Sequence, residues 1–85
     1  MRKFTKMTIF FRIRNLEIVS GMFGEKDLST FNMDLEDAKQ IYNYVIFDLD
    51  EYIMSHIGDF KLVEENGTYN LIIKDDVKEN LERFL

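Results

Sequence analysis

The sequence has no cysteine, no proline and no tryptophan, only four glycines and a single histidine. Without thiols there is neither a disulfide framework nor a thiolate metal site, and a small uncross-linked chain fits a reducing interior. Without proline, and with its glycines scattered singly, the chain has no linker tract and no glycine-rich phosphate loop, so short elements joined by tight connections are expected. No apolar run reaches the roughly 18 residues of a membrane span. Arg12 and Arg14 interrupt the one stretch that could imitate a signal-peptide core. These absences lead to the expectation of a soluble cytoplasmic domain with no membrane contact.

What is present is a chain of 85 residues, 46% hydrophobic and 14% aromatic, with eight Phe and four Tyr. That length permits one domain, residues 1–85, and that composition supports a packed core rather than disorder. The net charge of −5 hides a polarity: residues 1–14 hold five of the eleven basic residues and no acid, whereas residues 15–85 hold all sixteen acids against six bases. The first segment is a candidate polyanion-binding arm or a basic strand balanced by neighbouring acids.

From Lys3 to Arg14 the side chains alternate, with Met7, Ile9, Phe11 and Ile13 on one face and Lys6, Thr8, Phe10, Arg12 and Arg14 on the other, the signature of a half-buried strand. A second β-rich run, Glu17 to Phe23, follows Asn15-Leu16 and predicts a hairpin. After a loop from Gly24 to Met33, Asp34 is placed to cap a helix whose first turn holds Glu36 and Asp37. Leu35, Ala38, Tyr42, Val45, Ile46, Leu49 and Ile53 recur at helical spacing, so one long helix is expected to run to about His56, ended by Gly58 in the left-handed conformation. Asn66-Gly67 between Phe60–Glu64 and Thr68–Lys74 predicts a tight hairpin, because both residues tolerate positive φ. Asp75 or Asp76 then caps a short terminal helix with Val77, Leu81 and Leu85 on one face. The order ββαββα implies an α+β domain with a mostly antiparallel four-stranded sheet packed by one long helix and a short C-terminal helix.

Such a helix would carry more apolar residues than one stripe can use. Tyr44, Phe47 and Met54 would project opposite Leu35 and Leu49 beside polar residues such as Glu51, and would need cover from another surface. This points to a protein-protein interaction module that self-associates as a homodimer through Tyr44, Phe47, Glu51 and Met54. The acidic surface also suits an inhibitor or accessory subunit occupying a basic, nucleic-acid-binding partner. The alternative is a nucleic-acid-binding module using Lys6, Phe10, Arg12 and Arg14, where cations alternate with a ring suited to base stacking.

Other patterns point to less. On a helix, Asp48, Asp50 and Glu51 diverge and cannot converge on one metal ion. His56 falls where a helix-end cap is expected. Asn66-Gly67-Thr68 matches the glycosylation tripeptide but reads as a turn. No segment unites an acid, a base and an activated nucleophile, and Ser55 beside His56 would face elsewhere. The expectation is a non-enzyme with no cofactor and no metal.

Overall fold

The computed structural model describes the backbone of residues 4–83 and the side chains of residues 4–79. Its element order is β1 (Lys6–Arg12), β2 (Ile18–Phe23), a 3-10 turn (Leu28–Thr30), α1 (Leu35–Ile41), β3 (Tyr42–Asp48), α2 (Glu51–Ser55), a second 3-10 turn (Ile57–Asp59), β4 (Phe60–Glu65), β5 (Thr68–Ile73) and α3 (Asp75–Arg83). The α+β class stands, with antiparallel pairing throughout. The strands form two sheets, β2-β1-β3 and β4-β5, instead of one four-stranded sheet.

The long helix expected over residues 34–56 does not form. Asp34 caps a helix as expected, its carboxylate accepting from the Glu36 N–H at 2.9 Å. That helix ends at Ile41. Tyr42 to Phe47 contains two tyrosines, two β-branched residues and a phenylalanine, side chains that lose rotamer freedom in a helix and pack well on a pleated surface. The run therefore enters the sheet as β3, and helix resumes only where Asp50 caps α2 by accepting from the Ile53 N–H. Gly58 does not adopt the left-handed conformation expected of it and lies in the second 3-10 turn; positive φ occurs at Leu16, Gly24, Asn66 and Gly67.

β1 is the centre of the molecule. Its register pairs Met7, Ile9 and Phe11 with Phe47, Val45 and Asn43 on β3, and Thr8 and Phe10 with Met22 and Ser20 on β2. Directly opposed residues share a face, so the two faces can be followed across the whole sheet. On one face Phe10 packs with Leu28 and Ala38, flanked by Met22, Phe31, Tyr42 and Tyr44. On the other, Met54 of α2 approaches Gly21 and Ile9, and Tyr69 of the β4-β5 hairpin lies 5.2 Å from Phe11 between ring centroids. Met7 through Phe11 are all buried, so the strand is covered on both faces, not half-buried. Among the described residues Thr8 is the one buried polar residue; its hydroxyl donates to the Gly24 carbonyl at 2.7 Å and accepts from the Lys26 N–H.

The β4-β5 hairpin follows its sequence signal, with Asn66 and Gly67 at φ 54° and 81°. α3 starts at Asp75, which puts Asp75 and Asp76 in its first turn and not at its cap. Val77 is half-buried; Leu81 and Leu85 lie outside the residues whose side chains are described. Among the described residues no helix is long and apolar enough to cross a membrane.

Candidate functional site

The structure separates the four residues expected to share a helix face. Tyr44 is half-buried against Phe10, with 6.1 Å between ring centroids. Phe47 lies on the opposite face of the same strand, beside Met7. Met54 is on that second face too, its sulfur 3.1 Å from where a Cβ on Gly21 would stand. Glu51 is exposed in the first turn of α2. Tyr44 is thus parted from Phe47 and Met54, because a strand alternates its side chains where a helix would have gathered them.

The basic stripe of β1 is also dispersed. Phe10 has 0% of its surface exposed and cannot stack on a base. Lys6 bonds Asp48 across the β1-β3 pair. That hydrogen bond, reinforced by the charge of the partner, holds the Asp48 carboxyl below its ordinary range and raises the Lys6 ammonium. Asp48, Asp50 and Glu51 therefore stay apart: one bridges strands, one caps α2, and the third lies in its first turn. His56 is the C-cap of α2, with Nδ1 2.9 Å from the Tyr52 carbonyl and its ring stacked on Tyr52.

Arg12 and Arg14 remain together. They line a depression of about 340 Å³ with Ile13, Gln40 and Ile41, where β1 runs out beside the end of α1. Ile13 donates to the Ile41 carbonyl at 2.9 Å, which places both isoleucines side by side at 47% and 41% exposure. The Arg12 guanidinium lies 5.8 Å from the centre of the Tyr42 ring, held as a cation over a π-face. Neither arginine has a carboxylate partner among the described residues. The nearest acid in sequence, Glu17, is engaged by Asn15, whose Nδ2 donates to it and whose Oδ1 accepts its N–H.

A larger cleft of about 450 Å³ lies between the two sheets, walled by Asn15 to Ser20 on one side and by Ile57, Gly58 and Phe60 to Leu62 on the other. Two features of its first wall were not legible from residue pattern. Leu16 holds φ at 60°, a left-handed conformation that a branched side chain adopts at a cost of about 1–2 kcal/mol. The β1-β2 register shifts at Phe10/Phe11, leaving Val19 without a partner in β1. Neither turn strain nor a bulge has a marker in the alternation; only the absence of a turn dipeptide at Asn15-Leu16 hinted at an irregular connection.

Among the described residues no three His, Asp or Glu side chains gather in a way that could hold a metal ion. No protein-family model, no curated protein and no solved structure matches this chain.

Proposed function

We propose that this chain is a small protein-protein interaction module that self-associates, using the Arg12–Arg14 and Gln40–Ile41 end of its sheet. The observation that carries this reading is the exposed pair Ile13 and Ile41, 47% and 41% exposed, set side by side between two arginines that have no carboxylate partner among the described residues.

Ile13 and Ile41 supply an apolar centre for such a contact, and the two guanidiniums supply a rim that lacks carboxylates of its own. Sixteen acids make a second copy a partner of fitting charge. The test is molar mass by light scattering across concentration. The wild-type mass rises above 10.2 kDa, and the double variant Ile13→Asp, Ile41→Asp stays monomeric with an unchanged circular dichroism spectrum. A wild-type mass that never leaves the monomer value defeats the reading.

Nucleic acid binding has one observation in its favour, the pairing of Arg12 with Arg14 in a single depression. It loses its stacking ring, since Phe10 is core and Tyr42 is covered by Arg12. Salt-sensitive binding of a single-stranded oligonucleotide, abolished by Arg12→Glu with Arg14→Glu, would restore it.

A further inference from the structure

The cleft between the sheets has the properties of a slot for an extended polypeptide. Pairing along the β4-β5 hairpin alternates: the Lys74 N–H donates to the Asp59 carbonyl, which makes 61/72, 63/70 and 65/68 the mutually bonded pairs. The N–H and C=O groups of Phe60, Leu62 and Glu64 therefore point off the free edge of β4. The Phe60 N–H is taken up by the Ile57 carbonyl. Leu62 has no such relief. Its residue surface is only 4% exposed, yet neither its N–H nor its C=O has a partner among the described residues. Both groups face the open cleft, within reach of water and of any backbone that would replace it.

The outward main-chain groups of the other edges, such as those of Gly21 on β2, Ile46 on β3 and Leu71 on β5, belong to half-buried or exposed residues, which sets Leu62 apart by its burial. On β3, the outward Tyr44 N–H is taken by the Asn43 side chain at 2.9 Å and the Tyr42 N–H by the Ala38 carbonyl. At the cleft, by contrast, the β4 edge lies next to the β2 edge, and no hydrogen bond joins them. The facing wall carries the strained Leu16 and the bulged Val19, irregularities of a kind that concentrate at binding sites.

We infer that this cleft binds an extended segment of a partner protein as an added strand on β4, with Leu62 exchanging main-chain hydrogen bonds with it. The chemistry that answers an unpaired N–H and C=O at strand spacing is another polypeptide backbone. The slot is mixed, with Leu16, Ile18, Ile57 and Phe60 beside Glu17, Ser20, Lys61 and Lys74, so it takes a guest that alternates aliphatic with polar side chains. The guest is a single strand, not a second copy of this chain. The β2 wall closes the far side of the slot, and a two-stranded hairpin is too broad for about 450 Å³. The inference is independent of the Ile13/Ile41 contact.

The test begins with a displayed library of random linear 12-residue peptides selected against the full chain. Enriched peptides should alternate aliphatic with polar residues, shift the backbone resonances of Leu16–Ser20 and Phe60–Leu62, and slow exchange of the Leu62 amide at least tenfold. Chemical synthesis of the chain with an N-methyl group on Leu62 deletes one donor that β5 does not use, and should weaken binding at least tenfold. Val19→Arg, on an exposed bulge, should weaken it likewise with unchanged thermal melting. Three results overturn the inference: no peptide enriched above an unrelated protein, peptides that shift only the Arg12–Arg14 and Gln40–Ile41 resonances, or a Leu62 amide protected in the protein alone as its mass rises with concentration. The second and third leave self-association standing, and a monomeric protein that binds peptides at Leu62 removes self-association alone.

Discussion

Gly58 and Gly67 both have open space where a Cβ would go, yet alanine should act on them oppositely. Gly67 holds φ at 81°, so Gly67→Ala pays for a left-handed L-residue and should lose about 1 kcal/mol in urea denaturation. Gly58 lacks that constraint, and Gly58→Ala should be neutral or gain about 0.4–1 kcal/mol by restricting the unfolded chain. Had Gly58 ended a long helix, its substitution would cost as much as that at Gly67. Phe10 offers a second discrimination. As a core ring, Phe10→Ala should cost about 3–5 kcal/mol, a large part of the roughly 4–13 kcal/mol available to a chain of this size. A surface ring placed for stacking would show almost no change in the same denaturation experiment. Sequence alternation located Phe10 on the correct face of β1, opposite Met7 and Ile9, but could not say that this face also has a roof, because Leu28, Phe31 and Ala38 arrive from a different part of the chain.

At the scale of elements, the bond between Lys6 and Asp48 ties the start of β1 to the end of β3, and its pH dependence has a definite sign. The depressed Asp48 carboxyl contributes stability that is present above its unfolded value and lost as pH falls through its lower folded value. The raised Lys6 contributes below its unfolded value and is lost as pH rises through its higher folded one. Nuclear magnetic resonance titration should find the Asp48 carboxyl protonating at a lower pH in the wild type than in Lys6→Met, where its cationic hydrogen-bond partner is gone. Capping makes a parallel case. Asp50→Ala should cost about 1 kcal/mol of stability, and amide exchange in α2 should accelerate, since five residues hold little helix without a cap. The Asp34 cap is visible as an acid ahead of an apolar run, whereas Asp50, expected within a continuous helix, is revealed as a cap only because β3 interrupts that helix. The boundary between α1 and β3 was not read because Tyr42, Val45, Ile46 and Leu49 satisfy a helical period while Tyr42, Tyr44 and Ile46 satisfy a strand period, and the β-favouring side chains decided between them.

For the whole molecule, large apolar side chains such as Ile13 and Ile41 stay exposed beside the two arginines at one end of the three-stranded sheet. Self-association across arginines and acids should weaken with ionic strength, as exposed charges are screened over about 10 Å at 0.1 M salt. Light scattering between about 0.05 M and about 0.5 M salt should therefore show the mass declining toward the monomer. A mass that is raised and independent of salt would assign the contact to apolar surface alone. Arg12→Glu with Arg14→Glu should reproduce the high-salt result at low salt.

Local chemistry alone determined the hairpin at Asn66-Gly67, the helix start after Asp34, the two-faced first strand and the α+β class, since each depends on neighbours within a few residues. The tertiary structure decided that residues 42–48 complete a sheet, that β1 is buried on both sides, and that Tyr44 and Phe47 part company. It also decided which strand edges stay open. Those outcomes depend on what the chain brings alongside from a distance, and a strand's partners, unlike a turn's, are not written next to it.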